Sequence, residues 1–171
     1  MNILVIHSHN ANRGDEAAVK AMVDELLIKY PGAKITISNN GFTSYPGMPE
    51  NIIQIDRFPK LESRMAQLEF FIVLLFKGKF AFTKEARKFI RALKEADVVL
   101  HAPGGPSIGD TYFKAEKLYL WRLNLIRRMG IPYIFYAPSM GPFNCTSRNK
   151  LRKEVISGAE RIVLRDPISV K

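Results

Sequence analysis

Short apolar runs alternate along the chain with longer stretches in which apolar residues recur every three or four positions. Asn2-Ile3-Leu4-Val5-Ile6 is β-branched and apolar, the make-up of a buried strand. Over residues 15–30, Ala18, Met22, Leu26 and Tyr30 share a face with Val19, Val23 and Leu27 beside them, which predicts a helix closed by Pro31-Gly32. Residues 33–38 and 52–55 read as the second and third strands, joined by a loop rich in Asn, Gly and Pro over 39–51. Helices are predicted over 61–76 and behind a Thr83 cap, the latter with Ala86, Phe89, Ile90 and Leu93 on one face. Residues 97–101 form a strand that runs into a glycine turn. Residues 113–129 form a helix closed by Gly130, with Arg127 and Arg128 at its negative end. A strand over 132–137, a helix over 147–157 stopped by Gly158 and a strand over 161–164 complete the series. Strands alternating with helices predict an α/β fold: a parallel sheet with helices on both faces.

The closing residues change what such a domain is expected to do alone. Asp166 is placed as a helix N-cap and Pro167 as the first helical residue. The residues that follow supply one turn, and one turn does not persist without packing. The expectation is that residues 1–171 are a single N-terminal domain of a larger protein, acting across a cleft with a C-terminal domain that is absent here.

Composition narrows the setting. A chain of 171 residues, 47% hydrophobic, is long enough for one core and too apolar for disorder. The single cysteine, Cys145, forms no internal disulfide and implies no oxidising compartment. The N-terminus lacks the pattern of a signal peptide, and no run reaches the length of a membrane span, so a cytoplasmic location is expected. Lys and Arg outnumber Asp and Glu by 26 to 16, a net charge of +10 that favours anionic partners: phosphorylated small molecules, nucleic acid or a lipid surface. The basic residues are dispersed over 57–94 and 114–153, where a solvated face is the alternative, and no specific nucleic-acid partner is expected. The stretch 70–82, from Phe70 to Phe82, is apolar all round and interrupted by Lys77 and Lys79. It reads either as a fully buried helix or as a peripheral membrane contact by shallow insertion at the inner face of the cell membrane.

In open parallel sheets ligands sit beyond the carboxyl ends of the strands, so the loops there carry the candidate chemistry. After the first strand comes His7-Ser8-His9-Asn10-Ala11-Asn12-Arg13-Gly14-Asp15-Glu16, leading into a helix N-terminus that favours an anion. Asp15 and Glu16 as mere stabilisers of the helix start are the alternative. After the fourth strand comes Ala102-Pro103-Gly104-Gly105-Pro106-Ser107-Ile108-Gly109-Asp110, where glycines admit close backbone approach or simply make a tight turn. Ser139-Met140-Gly141-Pro142 follows the next strand. Arg165 follows the last, placed either to clamp phosphate or carboxylate or to form an ion pair. His7, His9 and His101 all lie near strand ends, where packing and hydrogen-bonding roles are favoured over a three-histidine metal site, and no metal is expected. Cys145 has no evident base and no expected nucleophilic role.

Taken in order, Asn12-Arg13-Gly14-Asp15-Glu16-Ala17, Gly104-Gly105 with Asp110, Ser139-Met140-Gly141-Pro142 and Arg165-Asp166-Pro167-Ile168-Ser169 resemble the polysaccharide pyruvyl transferase family. The resemblance implies one Rossmann-like half of a GT-B-type two-domain transferase. It implies transfer of the enolpyruvyl unit of phosphoenolpyruvate to two hydroxyls of a polysaccharide or lipid-linked sugar, forming a ketal and releasing phosphate, with no further cofactor. On that resemblance Asp15 and Arg165 are the candidate catalytic residues, Arg165 as clamp. Asp15, at a helix start that favours negative charge, suits acceptor or base, and the acid is expected in the absent half. Asn12, Gly14, Gly104, Gly105, Asp110, Ser139 and Gly141 are the candidate substrate-binding residues. The family's third glycine is Pro106 here, which removes one backbone donor from that turn. A sugar-nucleotide-dependent glycosyltransferase of the same architecture and a non-catalytic anion-binding module are the alternatives.

Overall fold

The computed structural model describes residues 1–9, 12–40, 45–59 and 64–170. Its elements run β1 (Asn2–Ser8), α1 (Arg13–Lys29), β2 (Lys34–Asn39), β3 (Ile53–Asp56), α2 (Arg64–Leu75), α3 (Lys84–Glu95), β4 (Val98–His101), β5 (Gly104–Ile108), α4 (Phe113–Met129), β6 (Tyr133–Tyr136), β7 (Pro138–Met140), α5 (Asn149–Ser157) and β8 (Arg161–Val163). Six strands form one parallel sheet in the order β3-β2-β1-β4-β6-β8, the Rossmann-like arrangement.

Alternation along β1 sorts the core into two layers, as the period-two geometry of a strand requires. Ile3 and Val5 face α1 and pack with Val19, Met22, Val23, Ile35 and Ile37. Leu4 and Ile6 face the other way, into Phe89, Leu93, Leu123, Ile126 and Phe135 from α3, α4 and β6. Helices therefore cover both faces.

The helix ends follow local chemistry. Asn12 caps α1, its side-chain oxygen accepting from the Gly14 amide at 2.8 Å, so the helix begins two residues before the expected Asp15. Thr83 caps α3 through the Ala86 amide, and Gly130 closes α4 in the left-handed conformation at φ 74°. The start expected for α2 at Leu61, part of the 39–51 loop, Asn10, Ala11 and Lys171 lie outside the described residues.

Two expectations are corrected. The segments after β4 and β6 are more than turns: β5 and β7 pair in parallel, Gly104 beside Pro138 and Ile108 beside Met140, and make a second, two-stranded sheet. Glycine and proline hide such strands, because they carry no apolar alternation. The buried reading of 70–82 also fails. Only Glu69, Phe70 and Val73 of α2 are buried, while Phe71 is 61% exposed. The closing residues form a single 3-10 turn, Pro167–Val170, held by Asp166, whose carboxylate accepts from the Ser169 amide at 2.9 Å.

Candidate active site

The sheet's strand order reverses between β1 and β4: from β1 the chain crosses to β2, and from β4 it crosses to β6. Connections diverging from neighbouring strands open a crevice at their carboxyl ends. A cavity of about 370 Å³ lies there, walled by the ends of β1 and β4, the start of α1, β5 and α4. Gly105 and Pro103 form part of its backbone wall, Tyr112, Ala115 and Tyr119 one side, and Asn12 and Asp15 the other.

Three imidazoles converge on it. His101 presents Nδ1 to the Ala102 carbonyl at 2.8 Å. A carbonyl only accepts, so the proton sits on Nδ1, and Nε2 accepts from the Ser107 hydroxyl at 2.6 Å. His9 Nε2 lies 2.9 Å from the Tyr119 hydroxyl and 3.4 Å from the Asn40 amide nitrogen. His7 differs from both. It is the penultimate residue of β1 and sits in the left-handed region at φ 59°, where the pairing of β1 with β2 slips, and a non-glycine residue held there stores strain. Its ring packs between His101 and Tyr119, at centroid distances of 4.7 and 4.5 Å, yet among the described residues neither ring nitrogen has a hydrogen-bond partner. A buried, strained, unpaired imidazole in a cavity wall is the sharpest functional signal in the molecule.

Burial sets the charge state of the cluster. It drives His7 well below its ordinary value and His101 down to about 4, and it lowers His9 against the opposing pull of Asp15. Arg122, fully buried behind them, adds to the depression at His7 and His9. Its guanidinium donates to the Phe58 carbonyl and, at 2.8 Å, to Asn40 Oδ1, while Nη2 has no partner among the described residues. Neutral imidazoles result, each offering one donor and one acceptor nitrogen.

The residues singled out from the sequence fall into two groups at this edge of the sheet. Asn12, Asp15 and Gly105 line the cavity. Gly14 sits in the first turn beside Asn12, and Gly104, at φ 137°, abuts Asp15 so closely that a Cβ there would come within 2.7 Å of Oδ1. Asp110, Ser139, Gly141 and Arg165 gather instead around β5 and β7, outside the cavity lining. Asp110 accepts from the Cys145 amide at 2.9 Å and from Arg152 at 2.6 Å, which holds its carboxyl below the usual range. Arg152 also pairs at 2.7 Å with Glu116, a fully buried carboxylate that caps the Gly109 amide and takes a further pair from Arg148. Asp110 thus anchors this structural network. Ser139 donates to Asp166 at 2.9 Å, Gly141 donates its amide to Ile108, and Arg165 is exposed, its backbone tied to Pro138.

A model of the family described as polysaccharide pyruvyl transferase matches residues 12–171. The chain belongs to the polysaccharide pyruvyl transferase family. Neither curated proteins nor solved structures gave a match. Membership supports a transferase assignment, with a general role in pyruvyl transfer and a polysaccharide as the general acceptor class.

For a pyruvyl transferase, the sequence reading found the α1 start and the glycine turn but missed His7, His101, Ser107, Tyr112 and Tyr119 as cavity residues. The legible signal was polar residues placed at strand carboxyl ends, His7 and His9 after β1 and His101 at the end of β4. Tyr119 lies on α4 and Tyr112 in the 3-10 turn just before it, and neither gave a sign of its direction. Among the described residues, no three His, Cys, Asp or Glu side chains converge in a way that would hold a metal ion.

Proposed function

We propose that the cavity between β1 and β4 receives hydroxyls of a glycan acceptor, and that the pyruvyl unit arrives from phosphoenolpyruvate bound at the adjoining β5–β7 edge. The lining carries the reading. It is largely apolar, with tyrosine rings as walls and neutral imidazoles and a serine hydroxyl as polar groups, and its described charged member is the carboxylate Asp15. Such a surface suits a neutral polyhydroxyl ligand, whose apolar ring face lies on aromatic carbon while its hydroxyls find donors and acceptors. A donor with a phosphate and a carboxylate needs cations instead. Arg165, exposed beside Asp166 and with Ser139 and Gly141 close by, lies at the same sheet edge, where it could reach such a donor.

The chemistry then divides among these groups. One acceptor hydroxyl loses its proton to His7, which has an unpaired ring nitrogen, as its oxygen bonds the central carbon of the enolpyruvyl unit. Asp15 accepts the hydrogen bond of the neighbouring hydroxyl. The carbon–carbon double bond gains a proton at its methylene end. The second hydroxyl then displaces phosphate. Two carbon–oxygen bonds form, one carbon–oxygen bond to phosphate breaks, and of the two hydroxyl protons one ends on the new methyl group and one leaves with phosphate. A lipid-linked glycan as acceptor agrees with the apolar and basic face discussed below.

The test is incubation of the full-length protein with phosphoenolpyruvate and candidate glycans, reading phosphate release together with the methyl proton signal of the ketal. Both should rise together. Transfer from a nucleotide-sugar in the absence of phosphoenolpyruvate would overturn the reading in favour of glycosyl transfer.

A further inference from the structure

The surface built from α2 and the turn into α3 has a make-up that pyruvyl transfer does not require. Beyond the buried Phe70 and Val73, α2 turns an apolar stripe to solvent: Met65, Leu68, Phe71 and Leu75 are 74%, 53%, 61% and 51% exposed. Phe76, Phe80 and Phe82 extend it past the helix end. This ridge is firmly held. The buried carboxylate of Glu69 accepts from the amides of Phe82 and Thr83 at 2.7 Å and from the Thr83 hydroxyl at 2.9 Å. The Phe76 and Phe80 rings meet edge to face at 5.0 Å, and Gly78 packs onto Ile90.

Cations stand directly beside it. Lys79, Arg87, Arg91 and Lys94 line a groove of about 410 Å³ with Glu95 as its one carboxylate, and none of the four cations forms an ion pair among the described residues. On the other flank, Leu68, Phe71 and Trp121 border an apolar groove of about 460 Å³, with Lys117 over the Trp121 ring at 4.4 Å. Exposed aromatic rings next to unpaired basic groups match the layering of a bilayer surface, with apolar groups at the acyl boundary and cations at the phosphates. Aromatic rings, methionine and arginine also suit a protein interface, where lysine is depleted; vesicle binding and ultracentrifugation separate that occupant from lipid.

We propose that this face docks on an anionic lipid bilayer, the phenylalanine ridge entering at headgroup level while the groove of Lys79, Arg87, Arg91 and Lys94 takes lipid phosphates. No helix among the described residues is long and apolar enough to cross a membrane. The inference stands on exposure and charge and does not depend on the catalytic reading.

Trp121 is the only tryptophan of the sequence and borders the apolar groove, so it reports docking directly. The full chain is titrated with phosphatidylcholine vesicles with and without phosphatidylglycerol, following Trp121 emission and co-sedimentation. Expected is binding at least about tenfold tighter to the anionic vesicles, weakened by salt. The pairs Phe71→Ser with Phe82→Ser and Arg87→Glu with Arg91→Glu should each weaken it about tenfold with little change in thermal stability, because all four side chains are exposed. Absence of binding, or equal binding to both vesicle types, would overturn the proposal. So would a Phe71-dependent dimer in ultracentrifugation that leaves the vesicles unbound.

Discussion

His101 Nε2 accepts the Ser107 hydroxyl at 2.6 Å, and the Ala102 carbonyl fixes the proton of the same ring on Nδ1. The pair ties the end of β4 to β5 and leaves a neutral imidazole in the cavity wall. Ser107→Ala strands a buried ring nitrogen, and an unsatisfied buried acceptor costs about 1–3 kcal/mol. Chemical denaturation should show a loss of that size, and Ser107→Thr should restore most of it.

The same burial makes stability depend on pH. His101 falls from an ordinary 6.5 to about 4 in the folded protein, and His7 falls in the same direction. The unfolded chain therefore binds more protons than the folded one between those values, and stability rises with pH across this window. The contribution is fully present above about 6.5 and is lost as pH falls toward 4, for His101 on the order of 3 kcal/mol. Thermal melts from pH 7.5 downward should show the decline. His101→Gln should flatten it. Asp110 and Asp166 have lowered values, so their own losses lie below the ordinary carboxylate range and fall outside this window.

Glu116, Arg152 and Asp110 form the other polar centre. Glu116 is completely buried and Arg152 nearly so. Removing Arg152 leaves the buried Glu116 carboxylate with Arg148 as its one remaining cation among the described residues, and breaking a buried pair costs up to about 3–5 kcal/mol. Arg152→Met should therefore reduce stability far more than Arg127→Met, whose pair with Glu154 is more than a third exposed on both sides. Denaturant midpoints of the two variants compare the effects.

Two glycines separate a packing constraint from a site constraint. A Cβ at Gly109 would lie 2.4 Å from the Gly141 carbonyl oxygen, and one at Gly104 2.7 Å from the Asp15 carboxylate. Backbone cannot step aside, whereas a side chain can rotate. Both residues also hold φ 137°, unfavourable for any other residue. Gly109→Ala should therefore destabilise more than Gly104→Ala, which is expected to cost about 1–3 kcal/mol and to lower activity by turning Asp15 out of the cavity.

The fold was legible where composition and period agree. The β-branched run of β1, the single apolar face of α3 and the Gly130 stop of α4 each carry a local signal that tertiary packing then uses. Other features have no local signature. β5 and β7 are built from Gly, Pro and Ser and become strands only because each borders the other. From Phe70 onward α2 is apolar on all sides, so its sequence could not say which face would be covered, and Phe71 lies on the open one. At the site, Asp15 and Gly105 were visible from their loops. His7 was not recognised, because its importance lies in what is missing around it among the described residues: a partner for either ring nitrogen.

The placement of acceptor and donor is tested most directly by steady-state transfer with His7→Gln in the full-length protein. Glutamine keeps a donor and an acceptor but cannot take a proton. The account predicts that kcat falls by about 10²–10⁴ while KM for phosphoenolpyruvate stays within about threefold of wild type. An unchanged kcat with a sharply raised KM for phosphoenolpyruvate would place the donor, and not the glycan, in the cavity and would contradict it.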